Sequence, residues 1–258
     1  MNTDDRALLI GMIYGDGTLN VRKRTRKNGD TYISSEMQIT HSPKQREYLL
    51  YKSELLRDMF GGKHSVRQYK VFLPKTGKQY VQHKLSKSNK YFVTLKKLLY
   101  DNGTKRFTSR ALSMLTPHGI AIWYMDDGSP RININKQGNV SSVATDIATN
   151  CSLDEVNTII DYFSNEHGIE FKKRRDKKCA TESQYSIQAN TNETKKFCKL
   201  IDKHIIPSMQ YKLKHVASLY SQERMAPKGA CRACNNTIYD NRRKGLCVAC
   251  YTRQIRQR

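Results

Sequence analysis

Two apolar segments of the chain end on an aspartate that is followed by a glycine. The first is "DRALLIGMIYGDG", which ends at Asp16-Gly17, and the second is "GIAIWYMDDG", which ends at Asp127-Gly128. Thr116 and Pro117 form a typical helix start, and Gly128 is a typical helix stop. The pattern therefore predicts two buried helices with a carboxylate at the carbonyl end of each.

A carboxylate in that place lies next to the partial negative charge of the last helical carbonyls, which costs up to about 1 kcal/mol. The sequence therefore predicts a positive group beside each helix end. A lysine or arginine side chain would meet this need, and so would a bound divalent cation.

The segments that follow the two aspartates also match each other. Each begins with an alternating, strand-like pattern, at residues 31–42 and 139–149. Each strand leads into a helix that opens with capping-box spacing, Ser42 with Gln45 in the first copy and Ser152 with Glu155 in the second. The interval from aspartate to capping serine agrees within one residue, which indicates an internal repeat.

A basic strand pair and a closing helix complete each copy, in residues 63–100 and 169–205. We therefore predict an α+β fold made of a duplicated, pseudo-symmetric α-β-β-α-β-β-α unit with two antiparallel sheets. The first half is placed at residues 1–112 and the second at 113–222.

Three patches carry a resemblance to a known family. "LIGMIYGDG" (Leu9–Gly17) and "IAIWYMDDG" (Ile120–Gly128) resemble the two motifs of the LAGLIDADG homing endonucleases, in their monomeric, double-motif, intron-encoded branch. "IIPSMQYKL" (Ile205–Leu213) resembles a C-terminal segment of the same branch. The resemblance spans about Asp5 to Val216.

The second motif departs from the family pattern. It has Ile122 and Asp126 where the family has small residues, whereas the first motif keeps Gly11 and Gly15. Small residues at this spacing let two helix backbones approach closely. We expect Ala121 to be the small contact residue of the second helix, with slightly altered packing.

The resemblance implies a catalytic centre between the two motif helices. Asp16 and Asp127 would hold Mg²⁺ at the scissile phosphates, and a water held there would be the nucleophile. Asp126 is the alternative ligand, although its helical position points it elsewhere and favours a supporting role. Lys105 and Lys212 resemble the basic residues of the family's site, and simple phosphate contacts are an equal interpretation. Lys97 and Arg106 compete with Lys105 for its role.

The resemblance also implies that the two sheets form a saddle on double-stranded DNA, with side chains that read base edges or contact phosphate. The resemblance to the monomeric branch implies a monomer, and because the halves differ we expect a long, non-palindromic target. The strand residues with suitable donors are Arg22, Arg24, Gln38, Lys70, Lys84, Arg131, Asn133, Lys172, Arg174 and Gln188.

Composition agrees with a nucleic-acid partner. The chain has 258 residues, with 46 lysines and arginines against 23 acids, for a formal charge of +23. Such an excess favours phosphate binding, although a basic solvated surface or a ribosome-associated protein would show it too. "KKRRDKK" (Lys172–Lys178) is interpreted as the tip of a DNA-facing hairpin, with a nuclear signal as the alternative.

We find no apolar run long enough to span a membrane and no signal-peptide pattern at the start of the chain. The sequence therefore predicts a soluble, intracellular protein of the cytoplasm, nucleoid or an organelle matrix.

Four cysteines near the C-terminal end form two CxxC pairs, one on each side of residues 235–246: Cys231, Cys234, Cys247 and Cys250. Four thiolates at this spacing are typical of a structural Zn²⁺ site in a ribbon or treble-clef finger. The alternative, a disulfide framework, fits an intracellular basic chain poorly. We place a linker at 223–230 and the finger at 231–258, with Arg242 and Arg243 among its phosphate-binding residues.

Two rival functions share these features. One is an intron maturase or other RNA-binding protein on the same fold. The other is a DNA-binding regulator without chemistry, which the retention of both Asp16 and Asp127 disfavours.

Overall fold

The structure is a computed structural model that describes residues 1–62, 66–74, 77–136, 140–175, 184–213 and 216, with positions 229–231, 233–234, 237–238, 246, 250 and 254 beyond them. The chain divides into two compact units, residues 1–216 and 217–258. The first unit contains both motif segments, and the second contains the two CxxC pairs.

The first copy of the repeat follows the predicted order of elements. Its four strands form an antiparallel sheet in the order β1-β2-β4-β3, and the buried side chains of Leu19, Met37, Ile39 and Leu85 mark the face that packs on the helices. The elements are α1 (Thr3–Tyr14), β1 (Thr18–Thr25), β2 (Thr31–His41), α2 (Arg46–Phe60), β3 (Val66–Leu73), β4 (Lys78–Ser88) and α3 (Tyr91–Leu99).

The second copy repeats this topology, with a sheet in the equivalent order β7-β8-β10-β9. The predicted α+β duplication is therefore confirmed. A short connection precedes this copy, made of β5 (Tyr100–Asp101), β6 (Thr104–Lys105) and α4 (Ser109–Leu112). The elements of the copy are α5 (Pro117–Asp127), β7 (Gly128–Ile134), β8 (Val140–Cys151), α6 (Leu153–His167), β9 (Phe171–Arg175), β10 (Tyr185–Ala189) and α7 (Thr191–Ile201).

Helix starts were predicted correctly in the second half and incorrectly in the first. Ser152 and Glu155 form a complete capping box at the start of α6. Ser42 makes no capping hydrogen bond, because a 3₁₀ turn at Pro43–Gln45 comes first and α2 begins at Arg46. Gln45 is the last residue of that turn and precedes α2, so it does not occupy the third position of the helix.

The two motif helices, α1 and α5, pack against each other through glycine. A Cβ atom on Gly11 would lie 2.2 Å from the carbonyl oxygen of Gly119, and one on Gly119 would lie 2.5 Å from the carbonyl oxygen of Ala7. The backbones therefore touch directly. The expectation that Ala121 is the small contact residue was wrong, because Gly119, closer to the start of α5, occupies the crossing point.

After α7, the chain of the first unit continues through two 3₁₀ segments, Asp202–His204 and Pro207–Lys212. In the second unit, β11 (Gly229–Ala230) and β12 (Thr237–Ile238) pair antiparallel. In the part of the chain that the structure describes, no helix has the length and apolar character needed to cross a membrane.

The helix crossing gives a stability prediction. Gly11→Ala should lower the free energy of unfolding by about 3 kcal/mol, since the added methyl group meets a backbone carbonyl that cannot rotate away. Chemical denaturation of the variant and the parent protein measures the difference. An unchanged free energy of unfolding would show that the helices can separate at no cost, contrary to a contact that fixes their distance.

Candidate active site at the paired helix ends

The two motif aspartates lie at the carbonyl ends of α1 and α5, but not in equivalent ways. Helix α1 ends at Tyr14, and Asp16 follows in a turn closed by the Gly17 amide, which donates to the Met12 carbonyl at 2.7 Å. Asp127 is itself the last residue of α5. The side chain of Asp16 is 43% exposed, whereas Asp127 is part-buried. One carboxylate from each half therefore reaches the same end of the helix pair.

A lysine neutralises each helix end. Lys105 Nζ donates to the Gly15 carbonyl at 2.8 Å, at the end of α1. Lys212 is buried, and its Nζ donates to the Met125 carbonyl at 2.6 Å and to the Asp126 carbonyl at 3.2 Å, at the end of α5. The positive groups that the helix ends require are therefore these two lysines, each from the same half as its helix.

The competing cations near Lys105 lie elsewhere. Lys97 is exposed on α3. The Arg106 guanidinium lies 3.6 Å from Glu155 and 3.9 Å from Asp101, so it serves a surface ion-pair cluster. Lys105 is the one of these three that contacts the end of a motif helix.

The lysines leave part of the negative charge uncompensated. Burial, together with the nearby Asp126 and Asp16 carboxylates, raises the pKa of Asp127 to about 7, against the lowering effect of Lys105 and Lys212. Burial and Asp126 also raise the pKa of Asp16. Burial lowers the pKa of Lys212 to about 8. Like-charged carboxylates crowded in this way are the arrangement that a divalent cation stabilises.

Asp126 has a different environment from its neighbour. Its carboxylate is fully buried and accepts two hydrogen bonds from Lys52 Nζ, at 2.6 Å and 2.8 Å. It also accepts the backbone N–H of Asp16 at 3.1 Å. The structure therefore places Asp126 in a buried ion pair with Lys52 of the first half.

Sequence reasoning missed two residues beside Asp126, namely Lys52 and His41. His41 Nε2 lies 3.2 Å from Lys52 Nζ, and His41 Nδ1 lies 3.4 Å from Asp16 Oδ2. A signal for Lys52 was present, because it falls between Leu49 and Leu56 on the apolar stripe of α2 and is fully buried. A lysine in a buried stripe requires an acidic partner.

The sheet register shows which predicted DNA-contacting residues of the first half share a face. Leu19 pairs with Met37, and Ile39 with Leu85, on the face that packs on the helices. Because neighbouring residues alternate between faces, the opposite, open face carries Arg22, Arg24, Gln38 and Lys84. Lys70 pairs with Val81 and therefore lies on the helix side of the sheet, apart from the other four.

All five strand residues predicted in the second half share one face. Ile147 and Ile187 mark the buried side, and the open side carries Arg131, Asn133, Lys172, Arg174 and Gln188. Asp146 lies among them and pairs with both Arg131 and Arg174. One acidic side chain therefore fixes two guanidinium groups on the exposed face. The last part of the predicted basic hairpin tip, residues 176–178, lies outside the described residues.

The second unit brings three of its four predicted metal ligands together. The Sγ atoms of Cys231, Cys234 and Cys250 all lie within 4.8 Å of one another. Cys247, Arg242 and Arg243 lie outside the described residues, as do positions 223–228 of the predicted linker. Cys151 and Cys198 are buried in the first unit, where burial raises the pKa of their thiols to about 11 and about 12.

Comparison with known proteins matches this arrangement to one family. The model of the LAGLIDADG DNA endonuclease family matches residues 6–197. This range includes both Asp16 and Asp127, and it ends before the third patch at residues 205–213.

The curated relatives are distant. Protein RecA of Mycolicibacterium flavescens is 28% identical over 211 residues, which cover 80% of this chain and 45% of the relative. The cytochrome b mRNA maturase bI2 of Debaryomyces hansenii is 26% identical over 206 residues, which cover 80% of this chain and 73% of the relative. The chain spans about half the length of the RecA proteins that it matches.

Among solved structures, the chain is similar to the homing endonuclease I-WcaI bound to its DNA recognition sequence. The TM-score is 0.67, with 19% sequence identity, and the match covers 82% of this chain and 86% of that chain. At this level of sequence identity, the structural similarity is evidence for the fold alone.

The raised pKa of Asp127 predicts a pH-dependent stability. Since its pKa rises from 3.8 to about 7 on folding, the folded state binds this proton more tightly than the unfolded state, and stability falls as the pH rises from about 4 to 7. Asp127→Asn removes the buried charge and should therefore stabilise the metal-free protein at pH 8. Thermal melts in EDTA measure the difference at pH 8 and at pH 4.5, where it should shrink. An equal difference at both pH values would contradict the assigned electrostatics.

Proposed function

Because the chain belongs to the LAGLIDADG DNA endonuclease family, we propose that it is a homing endonuclease that makes a double-strand break in a long, non-palindromic DNA target. The observation that carries the proposal is the pairing of Asp16 and Asp127 at adjacent helix ends, one from each half. One carboxylate from each half matches one cut in each DNA strand.

The residues present fit a divalent cation. Asp16 and Asp127 offer hard oxygen donors, and their mutual repulsion and raised pKa values leave negative charge that the neighbouring lysines do not cancel. We propose that these two carboxylates hold Mg²⁺. When bound, it would lower the pKa of a coordinated water and offset the charge of the scissile phosphates.

The protein's own groups would prepare the phosphate for hydrolysis. Lys105 and Lys212 are fixed by the helix-end carbonyls, and each keeps its charge close to the two aspartates. A cation held there would stabilise the negative charge that builds up on the phosphate oxygens. Because the carbonyls hold the two ammonium groups in place, little reorganisation would be needed when DNA arrives.

The open faces of the two sheets provide the proposed DNA surface. Arg131 and Arg174 are oriented by Asp146, and such guanidinium groups can read guanine or contact phosphate. I-WcaI, a homing endonuclease of similar fold, is described as bound to its DNA recognition sequence. The two faces carry different side chains, which supports an asymmetric target read by a single chain.

A second candidate is RNA maturation, which the similarity to maturase bI2 favours. In this alternative the same basic faces would bind intron RNA, with the paired aspartates retained for packing. Incubation with duplex DNA and Mg²⁺ separates the two, since cleavage requires the nuclease chemistry. A DNA-binding regulator without chemistry would likewise bind duplex DNA and leave it intact.

The nuclease assignment predicts the effect of neutralising either aspartate. Asp16→Asn or Asp127→Asn should abolish double-strand cleavage and change DNA affinity by no more than about threefold, because these carboxylates serve the metal and contribute little to phosphate binding. A target is first obtained by selection from a randomised duplex library. Cleavage is then measured on a plasmid that carries this target, in Mg²⁺, and DNA affinity is measured by gel-shift titration.

The matched control is Asp161→Asn, which removes a carboxylate from the exposed side of α6. It should cut like the parent protein. Full double-strand cutting by either Asp16→Asn or Asp127→Asn would overturn the assignment.

We also propose that the second unit is a structural zinc module. Cys231, Cys234 and Cys250 converge in the structure, and Cys247 completes the CxxC pair of Cys250 in the sequence. Four thiolates would fill a tetrahedral site and leave no position for catalysis. Metal binding would then supply folding free energy to the short unit at 217–258.

This proposal predicts about one zinc ion per chain in the purified protein. Cys234→Ser should lose most of that zinc, whereas Cys198→Ser, which changes a thiol buried in the first unit, should keep it. Atomic absorption after dialysis measures the content. Equal zinc in both variants, or none in the parent protein, would contradict the module.

A further inference from the structure

The two halves have different residue types at the equivalent repeat positions around their aspartates. Counting from Asp16 and Asp127, Gly15 corresponds to Asp126. Counting from Ser42 and Ser152, His41 corresponds to Cys151 and Lys52 to Tyr162. Three polar residues, His41, Lys52 and Asp126, thus surround Asp16. Their counterparts in the other half, Cys151, Tyr162 and Gly15, provide neither a carboxylate nor an ammonium group.

Lys52 is the centre of the cluster around Asp16. Its ammonium group has three protons, and it contacts three acceptors: both carboxylate oxygens of Asp126, at 2.6 Å and 2.8 Å, and His41 Nε2 at 3.2 Å. Lys52 and Asp126 are fully buried, and His41 is nearly so. The hydrogen-bonding capacity of this ammonium is therefore used completely inside the protein.

Lys52 also fixes the tautomer of His41. An ammonium group can donate but not accept, so His41 Nε2 is the acceptor in this contact and the ring proton lies on Nδ1. His41 Nδ1 lies 3.4 Å from Asp16 Oδ2. The protonated edge of the ring therefore faces the Asp16 carboxylate.

A second connection reaches the backbone of Asp16. Asp126 Oδ2 accepts the Asp16 N–H at 3.1 Å, across the boundary between the halves. Gly15 makes this contact geometrically possible, because a Cβ atom there would lie 2.1 Å from Asp126 Oδ2. The backbone and the side chain of Asp16 are thus both contacted by groups that Lys52 holds.

The described surroundings of Asp127 contain no cluster of this kind. A cavity of about 410 Å³ lies beside it, lined by Gly15, Asp127, Lys105, Cys151 and Glu155 among others. Gly15 and Cys151 are the counterparts of Asp126 and His41, and their small size leaves this space. Within the described residues, no buried ion pair contacts Asp127 as Lys52–Asp126 contacts Asp16.

We propose that Lys52, His41 and Asp126 form a positioning cluster that sets the Asp16 carboxylate for its part of the reaction, and that the Asp127 side works without such a cluster. The inference rests on the proposed nuclease function. It predicts that damage to the cluster selectively slows the cleavage of one DNA strand. A general loss of stability would slow the cleavage of both strands.

The test is strand-resolved cleavage of a target duplex labelled on either strand, in Mg²⁺ and at a temperature well below the melting point of each variant. Asp126→Asn keeps the shape but cannot offer two acceptor oxygens to Lys52 and Asp16 together. It should lower the cleavage rate of one strand at least tenfold and that of the other strand by no more than threefold. DNA affinity, measured by gel shift, should stay within threefold.

His41→Phe is the second variant, since it fills the ring volume and leaves the Lys52–Asp126 pair intact should Asp126→Asn fail to fold. It should slow the same strand, by about fivefold. Tyr162→Phe, at the position equivalent to Lys52, is the matched control and should leave the ratio of the two strand rates unchanged.

Three results would overturn the inference for a parent protein that cuts: equal loss on both strands, opposite strands slowed by Asp126→Asn and His41→Phe, or parental rates in both variants. A parent protein that cuts neither strand would instead refute the nuclease function itself.

Discussion

Direct backbone contact between α1 and α5 is the constraint on which the site depends. Gly11 and Gly119 have no side chains, so the two helices meet at a distance that no other residue would permit at the crossing point. Helices packed so closely bring their carbonyl ends together, and the aspartates at those ends, Asp16 and Asp127, interact electrostatically. The same proximity makes the site unfavourable without a cation, because burial and like charge raise the pKa of both Asp16 and Asp127. The fold therefore maintains a concentration of negative charge that two lysines offset in part.

The halves share a topology but divide the charged groups unequally. The buried Lys52–Asp126 pair joins α2 of the first half to α5 of the second, and breaking such a pair typically costs about 3–5 kcal/mol because an unpaired charge stays behind. Tyr48 adds a second connection, since its hydroxyl donates to the Ile122 carbonyl at 2.9 Å. Both contacts therefore join α2 of the first half to α5 of the second through defined atoms.

Much of this architecture could be predicted from the sequence, because it follows from local signals. The Asp-Gly ends, the spacing to Ser152 and the alternating strands gave the duplicated topology and both aspartates. The capping role of Ser42 failed because a 3₁₀ turn at Pro43–Gln45 precedes α2, and the choice of Ala121 failed because a sequence does not show which side of a helix faces its partner. Lys52 and His41 belong to α2 and to the end of β2, far from both motifs in the chain. Their contact with Asp16 and Asp126 therefore depends on the finished packing of α2 against α5. The side of the sheet on which Lys70 lies likewise required the strand register.

We propose that the paired helix ends form one divalent-cation site served by both halves. Anomalous X-ray scattering from crystals of the protein bound to its DNA target and grown with Mn²⁺ tests it directly. A site shared by both halves requires anomalous density in contact with the carboxylates of both Asp16 and Asp127. Manganese bound elsewhere, or bound by Asp16, His41 and Asp126 without Asp127, would contradict it.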